Sequence, residues 1–491
     1  MSDIEDPLSQ LQCIFAAQRS AFANTAVPNC AERIHHLQQL ANTLRVNQTQ
    51  ILQTVAQDFG CRATHETLLA EIGMVLQAIR YACKHLPRWM KKKRCTIDLS
   101  LWPARAYTLQ RPKGVVGIIA PWNYPIQLCL LPLVDALAAG CRVMLKPSEL
   151  TPNTAQLLKK ILCKCFSDEQ VAVLIATNAS EMQEGDTQLL SAQNNLALAE
   201  AFARLPFDHL LFTGSEKIGR KVAQAAAKNL TPVTLELGGK SPLIVGDDLS
   251  LERAAEMIGV GKLFNAAQTC IAPDYVLAPA AKTKALAEAC LAWARKNYPD
   301  ILNNAAYTSI ISARHYQHLL HLIEEAKAKG SKVFSAEALS EAHQQHKKFP
   351  FTVILESPPN SRVMSEEIFG PLLPIIAYHS IEEAIAFVRA RAHPLAAYAL
   401  FGNARAGEQI LQTICSGSSG INAPLLPQTV NSLPFGGIGA SGMGSYHGEA
   451  GFSTFSHSQS FLVTPHWHLY RHIKPPFGFI YQVFKRLLFR R

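Results

Sequence analysis

The sequence predicts an α/β protein built on two parallel β-sheets with helices on their faces and a small β element attached. Short apolar runs alternate with amphipathic helical stretches from Gly114 to about residue 420. Strand–helix–strand repetition of this kind implies a parallel sheet covered on both faces. The alternation is interrupted at the Gly-rich turn Leu237–Gly239 and then resumes. At 491 residues, with 48% hydrophobic and 17% charged residues, the chain can bury two or three cores.

The first ninety residues read as helices. Ile34, Leu37, Leu40, Leu44, Ile51 and Val55 recur at helical spacing, and Asn29 followed by Glu32 is a capping-box pattern. The basic run Lys91–Arg94 closes this region. Residues 95–111 change period. Thr96, Ile97, Leu99, Leu101, Ala106, Tyr107 and Leu109 flank Pro103, which predicts a hairpin. The runs 115–120, 142–146, 171–176, 209–214 and 233–239 follow as buried strands, with helices at 152–165 and 216–228. Beyond Ser241 the alternation predicts strands at 242–246, 275–279, 351–355 and 398–402, and helices at 250–264, 281–297 and 381–391. Segment 177–195 is polar and long for a connection inside an α/β unit.

Charge and cysteine usage exclude several classes. The formal charge is +10, from 47 basic and 37 acidic residues, and no Asp or Glu follows Glu449. The surplus therefore sits mostly in the tail, and no basic stripe with interleaved aromatics suggests nucleic acid elsewhere. Twelve cysteines without a CxxC pair argue for free thiols in a reducing, cytoplasmic setting and against a metal site. The polar start MSDIEDPLSQ is no signal peptide, and no run reaches the ~18 apolar residues of a membrane span. Residues 466–491 combine Trp467, Tyr470, Phe477, Phe479, Tyr481, Phe484 and Phe489 with six basic residues. After Pro475 and Pro476 this stretch predicts one amphipathic helix. It could dock weakly on an anionic membrane surface. The preferred reading is packing on its own subunit or a partner, with the charges solvated.

Candidate chemistry centres on Cys270 in FNAAQTCIAP. A cysteine alone is more often a small buried hydrophobe, but a thiolate is a strong nucleophile. Attack on an aldehyde carbonyl makes an oxyanion that needs donors, and Asn123 in PWNYP can offer its NH2 group. The bland reading of Asn123 is a turn former. Glu236 ends a strand before Gly238 and Gly239, where a carboxylate can take a proton from water that hydrolyses a thioester. Its bland reading is a solvated strand end. FTGSEKIG, residues 212–219, reads strand, Gly-rich turn, helix. With Gly214, Ser215 and Gly219 it could hold a pyrophosphate at the helix start, or be an ordinary turn. Lys146 and Glu149 in LKPSE suit ribose hydroxyls, and Glu367 in SEEIFGP could hold a second ribose.

Taken in order, PWNYP, KPSE, FTGS, ELGGKSP, QTC, EEIFGP, PFGG and GMGSYHG resemble the aldehyde dehydrogenase family over roughly residues 10–465. The class-three-like branch is most similar, and within it the coniferyl aldehyde dehydrogenases. The resemblance implies a Rossmann-type cofactor domain, an α/β catalytic domain and a small β oligomerisation element. The cofactor domain would comprise 1–94 and 112–237 with 421–446 returning to it, and the catalytic domain 238–420. Residues 95–111 and 447–465 would oligomerise, typically as a homodimer. The resemblance implies Cys270 as nucleophile and Glu236 as general base. Asn123 with the Cys270 N–H would form the oxyanion hole. Lys146 and Glu149 would hold the adenosine ribose, Ser215 the pyrophosphate and Glu367 the nicotinamide ribose, with Phe369 and Trp122 beside it. Glu149 favours NAD+, with NADP+ as the alternative. The implied substrate is a hydrophobic, coniferyl-type aldehyde, with medium- and long-chain alkanals next. A catalytically impaired homologue that binds a nucleotide or partner is the reading from another class.

Two departures from the family pattern stand out. Ala267 replaces the usual Gly three residues before the nucleophile, where a positive φ would cost about 1 kcal/mol. The connection 171–205 is about twenty residues longer than the family norm, on the adenine side.

Overall fold

The computed structural model describes residues 7–98, 101–175, 196–467 and 474–489. Helices α1 (Pro7–Asn24), α2 (Cys30–Val46), α3 (Gln48–Phe59) and α4 (Met74–Trp89) build the N-terminal region. The capping box forms. Asn29 Oδ1 accepts from the Ala31 and Glu32 N–H groups, and the Glu32 carboxylate accepts from the Asn29 N–H at 2.6 Å. Leu37, Leu40, Leu44, Ile51 and Val55 are buried, and Ile34 packs against them.

Strands β1 (Lys93–Cys95) and β2 (Arg105–Pro112) pair antiparallel, but the hairpin differs from expectation. β1 is three exposed residues long and ends before Thr96. A short, basic edge strand has no apolar alternation to betray it.

Five parallel strands follow: β3 (Val115–Ile119), β4 (Arg142–Lys146), β5 (Val171–Val173), β6 (His209–Thr213) and β7 (Val233–Glu236). Between β3 and β4 lies α5 (Gln127–Ala139), buried along its whole length. A helix apolar on every side carries no 3.6-residue stripe, so periodicity alone does not reveal it. Helix α6 (Glu216–Ala227) joins β6 to β7.

The chain then enters the second sheet, made of β8 (Pro242–Val245), β9 (Tyr275–Pro279), β10 (Lys332–Ser335), β11 (Thr352–Leu355), β12 (Leu372–Tyr378), β13 (Ala396–Leu400) and β14 (Ser418–Ile421). Its helices include α7 (Leu251–Leu263) and α8 (Ala313–Ala328). Its order is β10-β11-β12-β9-β8-β13-β14, parallel except for the edge strand β10. The chain returns to the first sheet through β15 (Gly442–Met443), antiparallel to β7, giving the order β15-β7-β6-β3-β4-β5. Helix α9 (Gly448–Thr454) follows, then β16 (Ser456–Val463), which pairs with all of β2. One apolar cluster runs from the N-terminal helices through α5 into both sheets.

Residues 177–195 lie outside the described residues. The tail forms helix α10 (Phe479–Leu488), as its composition predicts. Of the expected packing on its own subunit or a partner, the first does not hold for its described phenylalanines. Phe477 is 54% exposed, Phe479 82% and Phe489 78%. Among the described residues, no helix is long and apolar enough to cross a membrane.

Candidate active site

Strand ends of the first sheet meet a loop of the second around a cavity of about 480 Å³. Trp122 and Asn123 enter from the loop after β3, Gly214 and Ser215 after β6, and Glu236 from the end of β7. Cys270 enters from the loop after α7, and Glu367 and Phe369 from the loop before β12. Carboxyl ends of parallel strands are where α/β sheets place ligands. Of the expected site residues, only Lys146, Glu149 and Gly219 lie off this cavity.

The loop that carries Cys270 is strained. Asn265, Ala266 and Ala267 take φ of 55°, 49° and 59°, a left-handed conformation that costs a residue with a Cβ about 1–2 kcal/mol. The positive φ at Ala267 meets the condition its substitution raised. Such strain persists where the surroundings over-determine it, and here they do. Gln268 Nε2 donates to Asn265 O and Ser309 O, both at 3.1 Å, and its Oε1 accepts from the Ile311 N–H. Asn265 Nδ2 donates to Asn123 O and Gln268 O. Asn123 Nδ2 donates to Gln268 O at 3.1 Å, and Tyr124 and Thr269 hydroxyls meet at 2.7 Å.

This lattice is rooted in three buried charges from the N-terminal region. Arg62 lies 3.6 Å from Glu66 and 3.7 Å from Glu71, and its Nη1 donates to Asn123 O at 2.9 Å. Glu66 accepts from the Asn265 N–H and the Thr308 hydroxyl. Glu71 accepts from the Ile126 N–H at the start of α5. Burial pushes both carboxyls up, against the pull of Arg62. Arg62 also lies over the Phe59 and Tyr124 rings.

The thiol of Cys270 is pushed up to about 12, first by burial and then by the negative charges of Glu367 and Glu236. The resting sulfur is therefore protonated near neutral pH. Glu236 is 2% exposed, and neither carboxylate oxygen has a hydrogen-bond partner. Burial raises it well above the ordinary carboxylate range. An unpartnered carboxyl with a raised pKa on a cavity is suited to taking a proton.

Glu367 presses on the turn after β7. A methyl at Gly238 would lie 2.0 Å from its Oε2, so a larger residue there would displace the Glu367 carboxylate. Burial, then Asp274, pushes Glu367 up to about 8, while the Gly239 N–H bonds to it. Lys240 pairs with Asp274 and donates to Val363 O and Glu366 O, and Asp274 Oδ1 accepts from the Ile368 N–H. That pair holds the segment that presents Glu367 and Phe369. Phe369 meets Trp122 edge-on at 5.4 Å.

The turns around the cavity offer contacts of the kind a dinucleotide uses. Ser215 makes no side-chain cap at the start of α6, so the helix N-terminus beside it is free for an anion. A Cβ at Gly214 would meet the Phe212 ring at 2.6 Å. Gly219 lies beneath the turn, where a Cβ would strike Leu237 at 2.5 Å, so its role is to let α6 pack closely. Lys146 and Glu149 line a separate small cleft with Leu174 and Leu198 and bond to each other at 3.2 Å. Burial raises Glu149, but the Lys146 charge and hydrogen bond, together with a backbone hydrogen bond, hold the carboxyl below its ordinary value.

A profile of the aldehyde dehydrogenase family matches residues 9–461. The chain belongs to the aldehyde dehydrogenase family. It is 41% identical over 488 residues to a probable coniferyl aldehyde dehydrogenase of Pseudomonas aeruginosa, covering 98% of each chain. In structure it is similar to a substrate-bound AldH of Staphylococcus aureus, with a TM-score of 0.87 and 33% identity over 98% of this chain and 99% of that one. It is also similar to an NAD-dependent aldehyde dehydrogenase of Sinorhizobium meliloti, with a TM-score of 0.80 and 28% identity over 93% and 87%. The fold and enzyme class implied by the motifs are those of the chain: it is an oxidoreductase of this family.

Several residues that shape this aldehyde dehydrogenase's cavity escaped the sequence reading. Arg314, His315 and His318 reach its wall from the first turns of α8. Arg62 and Glu66 leave a faint signal, two opposite charges four residues apart in a stretch otherwise suited to burial. Nothing in the sequence shows that they reach Asn123 and Asn265.

Proposed function

We propose that the chain oxidises a hydrophobic aldehyde, of coniferyl type first, to its carboxylic acid with NAD+ through a thioester on Cys270. The observation that carries this is the meeting of Cys270, Asn123 and an unpartnered Glu236 on one cavity beside an uncapped helix start. Cys270 adds its sulfur to the aldehyde carbon as its thiol proton passes to water, leaving the negative charge on the carbonyl oxygen. The oxyanion that forms receives the Asn123 side-chain N–H and the Cys270 backbone N–H. Bound NAD+ supplies the hydride acceptor; Ser215 and the start of α6 would hold its pyrophosphate and Glu367 its nicotinamide ribose. Lys146 and Glu149 would take the adenosine ribose. Water then attacks the thioester and gives its proton to Glu236, which burial makes a stronger base than an exposed carboxylate. Trp122, Phe369, Phe435 and Leu128 give the cavity an apolar, aromatic wall that suits an aromatic substrate, in keeping with the name of the Pseudomonas relative. The enzyme is read as a homodimer through the three-stranded sheet β1-β2-β16, whose outer strands leave an edge for a second copy.

The test is a substrate panel run with NAD+ and NADP+, following NADH or NADPH absorbance. Coniferyl aldehyde should show a higher kcat/KM than medium-chain alkanals, with NAD+ preferred. A strong alkanal preference would overturn the substrate ranking. Cys270→Ala should abolish turnover; activity that survives it would mean the nucleophile is another residue.

A further inference from the structure

The positive charge of the chain is confined to two segments. Of its 47 basic and 37 acidic residues, 12 basic and one acidic lie in 91–112 and 450–491. The remaining 35 basic and 36 acidic residues nearly cancel. The fold joins the two segments. β2 of the first pairs along its whole length with β16, which runs straight into the tail. Trp102, in the turn before β2, meets Trp467 of the tail edge-on at 6.2 Å. Both indoles are more than half exposed, at 56% and 57%. Lys91, Lys92, Lys93, Arg94 and Arg105 are exposed on and beside the same small sheet.

The tail adds an amphipathic face. In α10, Phe479, Ile480 and Val483 stand at the i, i+1, i+4 spacing of one helix face, and Gln482, Lys485 and Arg486 at the i, i+3, i+4 spacing of another. Phe479 and Val483 are exposed, as are Phe477 before the helix and the basic residues Lys474, Lys485 and Arg486. Leu462 and Val463, at the end of β16, are exposed too. Exposed apolar residues gathered on one segment mark an interaction surface.

The occupant follows from charge and apolarity together. A second copy of the chain has no net negative charge to meet these basic residues, because the rest of it is close to neutral. A nucleic acid would meet the charges but would leave Leu462, Val463, Phe479 and Val483 in water. A bilayer with anionic headgroups meets both. Phosphates face Lys and Arg, acyl chains take the apolar residues, and tryptophan sits at the boundary between them. At ten residues, α10 is too short to span a bilayer and suits lying in its surface.

We propose that the tail, together with the Trp102 turn, docks this enzyme on the surface of an anionic lipid bilayer. The basic residues bring it to the headgroups, and Trp467, Phe477, Phe479 and Val483 enter the headgroup–acyl boundary. None of these residues lines the Cys270 cavity. The proposal is therefore independent of which aldehyde that cavity takes.

The test is flotation of the full chain with vesicles of phosphatidylcholine mixed with phosphatidylglycerol, against vesicles of phosphatidylcholine alone. At low salt at least about 10-fold more protein should float with the anionic vesicles, and salt at about 0.5 M should release most of it. Three variants divide the contributions: a chain ending at residue 473, Lys485→Gln with Arg486→Gln, and Phe479→Ser with Val483→Ser. The shortened chain should float no better than the full chain does with neutral vesicles. Each double variant should float several-fold less than wild type. Turnover of a water-soluble aldehyde without vesicles should match wild type in all three, which shows that they fold. A full chain that stays out of the floating fraction would overturn the proposal. So would a shortened chain that floats as well as the full one, or equal flotation on the two kinds of vesicle. Tail-dependent binding of duplex DNA without flotation would give the tail to nucleic acid. A shortened chain that turns from dimer to monomer in light scattering, where the full chain does not float, would give it to a second copy.

Discussion

The two walls of the cavity are built on opposite terms. On the Cys270 wall each of these side chains has at least one partner, though Asn123 Oδ1, Asn265 Oδ1, two Arg62 nitrogens and one Glu71 oxygen have none: Gln268 uses both ends of its amide, and Asn265, Glu66 and Arg62 tie the loop to Asn123. On the Glu236 wall the carboxylate, Tyr446 and His447 have none. Satisfied groups position; they hold a strained loop in one shape so that the sulfur and the amide face the same space. The difference teaches that the hydrogen-bonded lattice and the unpartnered carboxylate sit on different elements of the fold. The N-terminal helical region roots the lattice, whereas the buried Glu236 carboxylate comes from the end of β7, beside the returning segment after β14.

The contrast can be broken first at Arg62. Arg62→Met strands two buried carboxyls and removes a donor from the Asn123 carbonyl. A loss of about 3–5 kcal/mol in urea unfolding is expected, with activity falling alongside. A variant as stable as wild type would show that the network is dispensable.

A smaller effect sharpens the other wall. The folded pKa of Glu236 lies well above its ordinary value. Between those two values the folded chain keeps a proton that the unfolded chain has lost, so wild-type stability falls as pH rises through that window. Gln cannot ionise. The stability advantage of Glu236→Gln over wild type should be least at or below the ordinary carboxylate range. It should then grow by up to about 1.4 kcal/mol per pH unit above it. Melting curves that differ equally at every pH would contradict the burial of this carboxyl.

The smallest effect concerns strain. Ala267→Gly removes a methyl from a residue at φ 59° and should stabilise the fold by about 1 kcal/mol, read as a shifted urea midpoint. A destabilised variant would mean that the packing of the methyl outweighs the strain.

Much of the scaffold was legible because local patterns sufficed. The strands at 142–146 and 275–279 coincide with the expected runs, and Asn29 and Glu32 cap α2 as their types demand. α5 was not legible, since burial on all sides erases periodicity. Nor was the short reach of β1, whose charged residues mimic a helix end. In the site, Cys270, Glu236 and Asn123 were readable from residue type and neighbours. Tyr446 and His447 entered only as part of a motif, because their unpaired atoms exist only in the folded interior.

By itself the sequence determined which residues can attack, donate and accept, and the order of strands and helices that carries them. Those properties belong to residue type and short-range spacing. Only the tertiary structure decided that Arg62 reaches across 61 positions to the Asn123 carbonyl, that Ala267 sits at positive φ, and that Glu236 lies without a partner. Partnership and burial depend on which distant segments share a core, and no local pattern encodes that.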